Sequence, residues 1–162
     1  MNKDSVLAIS QSTNQYKKPL QLLALVCAAA FSGSAIAAEF QSVSINAAIL
    51  YDAPSTKAKK LFVAPRGMPV QVISVVEPFV KVRDMTGDTA WVDRRALGSV
   101  RTAITLTSAT IRASASDTAA AVVQLERGVV VDITDVATNG WIKVKHADSV
   151  AGFVKQSDVW GY

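Results

Sequence analysis

WIKVKHADSVAGFV, residues Trp141 to Val154, carries the clearest structural signal in the chain. Trp-Ile-Lys-Val-Lys alternates with a period of two, as a strand with one buried and one open face must. A polar run beginning at His146 reads as a turn, and Val150 to Val154 reads as a second strand. Asn139-Gly140, just upstream, is a strong hairpin signal because both positions tolerate positive φ. Working outward, the same form recurs in FVKVRDMTGDTAWV, Phe79 to Val92.

The two stretches belong to a longer duplication. Ile49 to Ser55 matches Thr110 to Ser116, Leu61 to Ala64 matches Val122 to Leu125, and Arg66-Gly67 matches Arg127-Gly128, all 61 residues apart. Val70, Val72 and Val75 match Val131, Ile133 and Val136 at the same offset. One inserted residue near Gly140 moves the offset to 62, after which Phe79 to Arg83 aligns with Trp141 to Lys145 and Trp91-Val92 with Phe153-Val154. Leu97 aligns with Val159. The chain carries two copies of one unit of about 60 residues.

Each copy reads as β. Val70 to Val72 and Val131 to Ile133 alternate like half-buried strands. Gly67 and Gly128 stand before strands, where a turn needs positive φ. Ala119 to Ala121 has room for a brief helical turn at most, because β-branched residues follow at once, and no longer stretch holds a helical period. Four to six short strands separated by Gly and Pro predict a small barrel, which removes free sheet edges. A unit this small is near the limit for independent stability. The short connection Gly98 to Thr102 therefore predicts a nearly rigid tandem.

Residues 1–37 stand apart. Lys17-Lys18, a long apolar run and Ala35-Ile36-Ala37 have the layout of a secretory signal peptide, with cleavage after Ala37 or one residue later. The run Leu20 to Ala38 is long enough to span a bilayer, but it grows rich in Ala, Ser and Gly and no basic stop-transfer cluster follows. No stable membrane span is expected after cleavage. Losing Lys3, Lys17, Lys18 and Asp4 leaves 14 basic and 12 acidic residues, a net charge of +2. That balance gives little support to nucleic-acid binding, which asks for a clustered basic footprint. Cys27, the single cysteine, leaves with the leader, so the mature chain is expected to rely on hydrophobic cores without disulfides.

Alternation also divides the key strands by face. Val80, Val82, Ile142 and Val144 are expected in the cores. Phe79, Lys81 and Arg83 take the opposite face in the first unit, and Trp141, Lys143 and Lys145 take it in the second. An aromatic beside two cations suits an anionic peptide or glycan. Trp91 and Phe153 join these six as candidate ligand-binding residues. The competing reading is that the aromatics fold over the barrel as satellite core. Trp160 and Tyr162 either cap the seam between the units or stand open as a recognition patch. His146 is the only histidine and is expected to be an exposed turn residue. With no cysteine, no nucleophile-elbow serine and one histidine, neither a hydrolytic triad nor a metal site is legible, and no cofactor is expected.

These segments resemble the bacterial SH3-like (SH3b) domains of exported and cell-envelope proteins. Thr110 to Ser116 and Leu50 to Ser55 stand where that family opens with N-V-R-x-G-P-S. Glu126-Arg127-Gly128 and Pro65-Arg66-Gly67 supply its turn, Asn139 to Val144 its central N-G-W-x-K-V strand, and Gly152-Phe153-Val154 and Ala90-Trp91-Val92 its closing strand. The departures are the lost Gly-Pro of the opening motif, Glu77-Pro78 in place of Asn-Gly, and Ala90 in place of Gly. The resemblance implies an all-β chain of two tandem small SH3-like β-barrels, 41–100 and 101–162, after the signal peptide. It further implies a non-catalytic, periplasmic or secreted module that binds a cell-wall (peptidoglycan) peptide or glycan. An envelope protein is the alternative partner, with assembly as the role, and a small wall hydrolase is a third, less supported reading.

Overall fold

The structure is a computed structural model and describes residues 38–135, 139–146 and 150–162. The signal-peptide assignment and Cys27 lie outside the described residues, as do Val136 and the turn residues Ala147 to Ser149. Among the described residues, no helix is long and apolar enough to cross a membrane.

The first sheet contains β1 (Phe40–Val43), β2 (Ala47–Tyr51), β3 (Lys60–Pro65), β4 (Pro69–Val76), β5 (Phe79–Arg83), β6 (Thr89–Asp93) and β7 (Leu97–Gly98), in the order β3-β2-β6-β5-β4-β1-β7. The second contains β8 (Thr102–Thr105), β9 (Ala109–Arg112), β10 (Ala121–Leu125), β11 (Val130–Asp135), β12 (Trp141–His146), β13 (Val150–Lys155) and β14 (Val159–Trp160), in the order β10-β9-β13-β12-β11-β8-β14. Adding seven to each strand number converts the first order into the second, so the duplication is one of topology as well as sequence. All pairs are antiparallel. A 3-10 turn precedes the last strand of each sheet, at Arg94–Ala96 and Gln156–Asp158.

Each sheet has seven strands where four to six were expected. The additional strands are short: β7 and β14 have two residues each, too few for alternation to register in sequence. Ala119 to Ala121 form no helical turn. Ala121 opens β10, and the carbonyls of Ala119 and Ala120 accept bonds from the Arg112 side chain at 2.7 Å and the Ala113 backbone at 3.0 Å. The β-branched pair Val122-Val123 keeps this segment extended. The curved sheets also keep edges. The first ladder ends at β3 and β7, and β3 carries the exposed side chains Leu61, Phe62 and Val63.

The alternating apolar residues meet inside. Leu50, Val70, Val80, Val82 and Val92 pack in the first core, and Ile111, Val131, Ile142, Val144 and Val154 in the second. Gly67 and Gly128 have φ of 82° and 83°, as their place before strands requires. Asn139 and Gly140, with φ of 67° and 80°, have the paired positive φ of a tight hairpin turn.

Residues Ala37–Tyr162 form one compact unit, and named contacts join its two sheets. Thr102 Oγ1 donates to the Gly67 carbonyl at 2.6 Å and lies 2.7 Å from Ser42 Oγ. The Thr102 proton is committed to Gly67, so the Ser42 hydroxyl must be the donor in the second bond. Both hydroxyls are buried. Phe40 of β1 meets Trp160 of β14 edge-to-face, with centroids 5.0 Å apart. Beside it, a Cβ built on Gly161 would stand 2.7 Å from Pro69 Cβ, so only glycine allows this approach. Trp160 thus caps the seam, while Tyr162 is exposed. Thr102→Val is expected to cost about 2 kcal/mol, because it strands the Ser42 hydroxyl and the Gly67 carbonyl in a buried site. The Ser42→Ala,Thr102→Val double variant should recover part of that loss in a thermal denaturation series.

Candidate ligand-binding faces

Cross-strand register assembles the sequence-predicted residues. On the second barrel, Trp141 stands opposite Lys155, Lys143 opposite Phe153 and Lys145 opposite Ala151, while Arg112 of β9 stands opposite Phe153 from the other side. Directly opposed residues share a face. Trp141, Lys143, Lys145 and Phe153 therefore lie on one outer face, and the structure adds Arg112 and Lys155 to them. On the first barrel, Phe79 faces Asp93, Lys81 faces Trp91 and Arg83 faces Thr89, and Tyr51 stands opposite Trp91. Phe79, Lys81, Arg83 and Trp91 are likewise brought together, with Tyr51 added.

Burial decides the role of the two leading aromatics. Phe79 is 5% exposed and Trp141 is 7% exposed, so both pack as satellite core on the outside of the sheet. Trp91 and Phe153 are half-buried, while Arg83, Lys143 and Lys145 are exposed and Lys81 is half-buried. Phe79 is covered edge-to-face by Tyr51, with centroids 6.1 Å apart and planes at 89°. Trp141 is covered instead by Lys155, whose Nζ lies 5.7 Å from the ring centroid, and Lys81 Nζ lies 6.0 Å from the Trp91 centroid.

Two of the differences at matched positions change how the leading aromatic is covered. Tyr51 is replaced by Arg112, whose Nη1 reaches away to the Ala119 carbonyl at 2.7 Å. Asp93 is replaced by Lys155, which pairs with Asp117 at 2.5 Å. The first barrel's closed aromatic contact thereby becomes an open polar hollow of about 240 Å³ on the second, lined by Arg112, Asp117, Trp141 and Lys155 among others. Asp93 instead turns toward Arg95, accepting from its backbone N at 2.9 Å and from Nε and Nη2 at 3.0 and 2.7 Å. The side-chain bonds, then the backbone bond, hold the Asp93 carboxyl below its ordinary range, and the same pairing raises the Arg95 guanidinium.

The second face is mixed in charge. Asp132 stands across from Lys145 and Asp135 across from Lys143 in the β11–β12 register. It therefore offers donors and acceptors together, not a uniform basic field.

His146 is not the expected exposed turn residue. It ends β12, is half-buried, and places Nδ1 3.4 Å from the Val130 carbonyl. The preceding strand continues one residue further because His146 still pairs with Val150. Among the described residues, no three His, Cys, Asp or Glu side chains are grouped to hold a metal ion.

Arg112, Lys155 and Tyr51 were missed as site residues. Lys155 continues the alternation Phe153, Lys155 on the same strand face. Arg112 and Tyr51 occupy matched positions in the opening strands. What linear reading lacked was the register joining β9 to β13 and β2 to β6.

Two copies of one seven-stranded antiparallel barrel, each with an aromatic-and-cation outer face, define a tandem SH3-like protein. Residues 46–98 match one family model described as Bacterial SH3 domain, and residues 107–161 match a second model of the same description. Together these matches cover more than half of the chain, which belongs to the bacterial SH3 domain family. No curated protein matches the chain. Among solved structures it is similar to NlpC2 from Trichomonas vaginalis, at 14% identity and a TM-score of 0.36, covering 76% of this chain and 48% of that one. It is also similar to NlpC1 from Trichomonas vaginalis, at 17% identity and a TM-score of 0.37, covering 79% and 47%. The chain thus spans about half the length of these structures.

Proposed function

We propose that this chain is an exported, non-catalytic binding module that recognises a cell-wall peptide or glycan through the outer face of its second barrel. The observation that carries this reading is the hollow beside Trp141, where Arg112 and Lys155 replace the closed aromatic contact of the first barrel. The two barrels share their fold, so a charged hollow on one where the other has a closed aromatic contact is what specialisation for a ligand would produce. Trp141 supplies an apolar wall, Arg112 and Lys155 supply donors for carboxylates, and Asp117 accepts from amines or sugar hydroxyls. Lys143 and Lys145 extend the donor set along β12.

Co-sedimentation of the chain with purified sacculi at low and moderate salt tests the reading. The chain is expected to pellet with the sacculi. The Lys143→Ala,Lys145→Ala variant should bind more weakly, by about tenfold, because it loses charge-assisted bonds without touching a core. A chain that stays in the supernatant at both salt concentrations would rule out the wall ligand and favour an envelope protein partner. Undiminished binding by the double variant would remove Lys143 and Lys145 from the site.

A further inference from the structure

A second hollow lies in the seam between the barrels, where Asp132 at the margin of the second barrel's outer face meets the first barrel. Its volume is about 320 Å³, which falls within the range of about 300–1,000 Å³ usual for small-molecule sites. Ser42 and Val43 of β1, Val100 of the connection, Thr102 of β8, Arg66 and Asp132 line it with their neighbours. Both barrels and their connection are needed to form it. The buried Ser42–Thr102–Gly67 hydrogen bonds hold its walls together before any ligand arrives.

The charges in this hollow are arranged for something between them. Arg66 uses Nε to donate to Asn46 Oδ1 at 3.2 Å, and its two terminal amino groups have no partner among the described residues. The Asp132 carboxylate makes no hydrogen bond or ion pair among the described residues, although Lys145 stands across from it in the strand register. Arg66 and Asp132 line one cavity yet form no ion pair with each other. A simple anion there would meet Asp132, and a simple cation would meet Arg66. A molecule carrying both charges satisfies both groups, and Val100 offers it an apolar wall. Val100 is 66% exposed, the most exposed large apolar residue of the described chain, so covering it is favourable.

The duplication sharpens the assignment. The position of Asp132 is held by Gln71 in the first unit, and that of Arg66 by Arg127 in the second. Only the junction of the two units places this cation and this carboxylate around one hollow. We propose that the seam hollow is a binding site for a small zwitterion of the amino-acid type, its carboxylate held by Arg66 and its ammonium by Asp132. The assignment uses Arg66 and Asp132 and none of the residues that line the hollow beside Trp141, so the sacculus experiment can fail while this one succeeds.

Alanine and alanylalanine are the test ligands, titrated into the full tandem chain by calorimetry with amide chemical shifts recorded in parallel. Propionate and ethylamine, each keeping one of alanine's charged ends, are the controls. At least one zwitterion is expected to bind and to shift the amides of Gly98 and Val100, while both controls bind about tenfold more weakly or worse. Arg66→Gln and Asp132→Asn should each cause a loss of about the same size. Both residues are exposed, so an unchanged melting temperature will show that these variants fold. Absence of binding by either zwitterion overturns the proposal. Equal binding of a control, undiminished binding by the two variants, or shifts confined to the hollow beside Trp141 overturns it equally.

Discussion

Gly152→Ala is expected to destabilise the second barrel by about 3 kcal/mol and to lower its melting temperature by about 10 °C. A Cβ built on Gly152 would stand 2.4 Å from the Arg112 carbonyl oxygen and 2.6 Å from Ile111 Cγ2. The first of these is backbone and cannot turn aside, so β9 must move away from β13. The two strands meet through a single register pair, Phe153 with Arg112, which leaves little ladder to absorb the shift. The matched position in the first barrel is Ala90, buried at 2% exposure and already holding a Cβ. There β2 and β6 pair at two positions, Leu50 with Val92 and Tyr51 with Trp91. Ala90→Gly should therefore cost only about 1 kcal/mol, mainly through added chain freedom. Thermal unfolding of both variants checks the contrast. Equal effects at the two positions would mean that β9 is not held against Gly152 as described.

Trp141→Ala is expected to cost about 3–5 kcal/mol, as truncation of a buried large aromatic does. The ring is 7% exposed and lies over the core strand pair β12–β13 beneath Lys155. Trp141→Phe should cost only about 1 kcal/mol, since the first barrel builds the same position with Phe79. Lys143→Ala, on the exposed part of the same face, should stay within about 0.5 kcal/mol of the parent. Calorimetric or denaturant unfolding measures all three. The Phe variant has a second use: it keeps the fold while altering the wall of the hollow, so its sacculus binding separates packing from recognition. A Trp141→Ala variant that melts like the parent would overturn the satellite-core role of the ring.

Much of the fold was legible because its signals are local. Val80 and Val82, or Ile142 and Val144, alternate with charged neighbours, and that period alone sends them to a core. Asn139-Gly140 and Gly67 announce turns through the φ values they permit. Local signals misread other places. Ala119 to Ala121 has helix-forming composition, but its carbonyls are taken by Arg112 and Ala113 in a strand-edge segment. His146 looked like the start of a polar turn, yet the pairing of β12 with β13 reaches one residue further. The candidate faces were half legible for the same reason. Residues two apart on one strand, such as Trp141 and Lys143, share a face by periodicity. Arg112 and Tyr51 reach those faces through register between strands that are distant in sequence.

The repeat, the β class, the strand periodicity and the apolar side of each key strand all follow from spacing along the chain. Tertiary structure alone decided that Phe79 and Trp141 are covered, that Tyr51 closes one face where Arg112 opens the other, and that Arg66 and Asp132 share a hollow. Those outcomes depend on which strands and turns lie side by side and how closely the two barrels approach at Ser42, Thr102 and Gly161. Such distances are set by packing between residues dozens of positions apart, and no local pattern carries them.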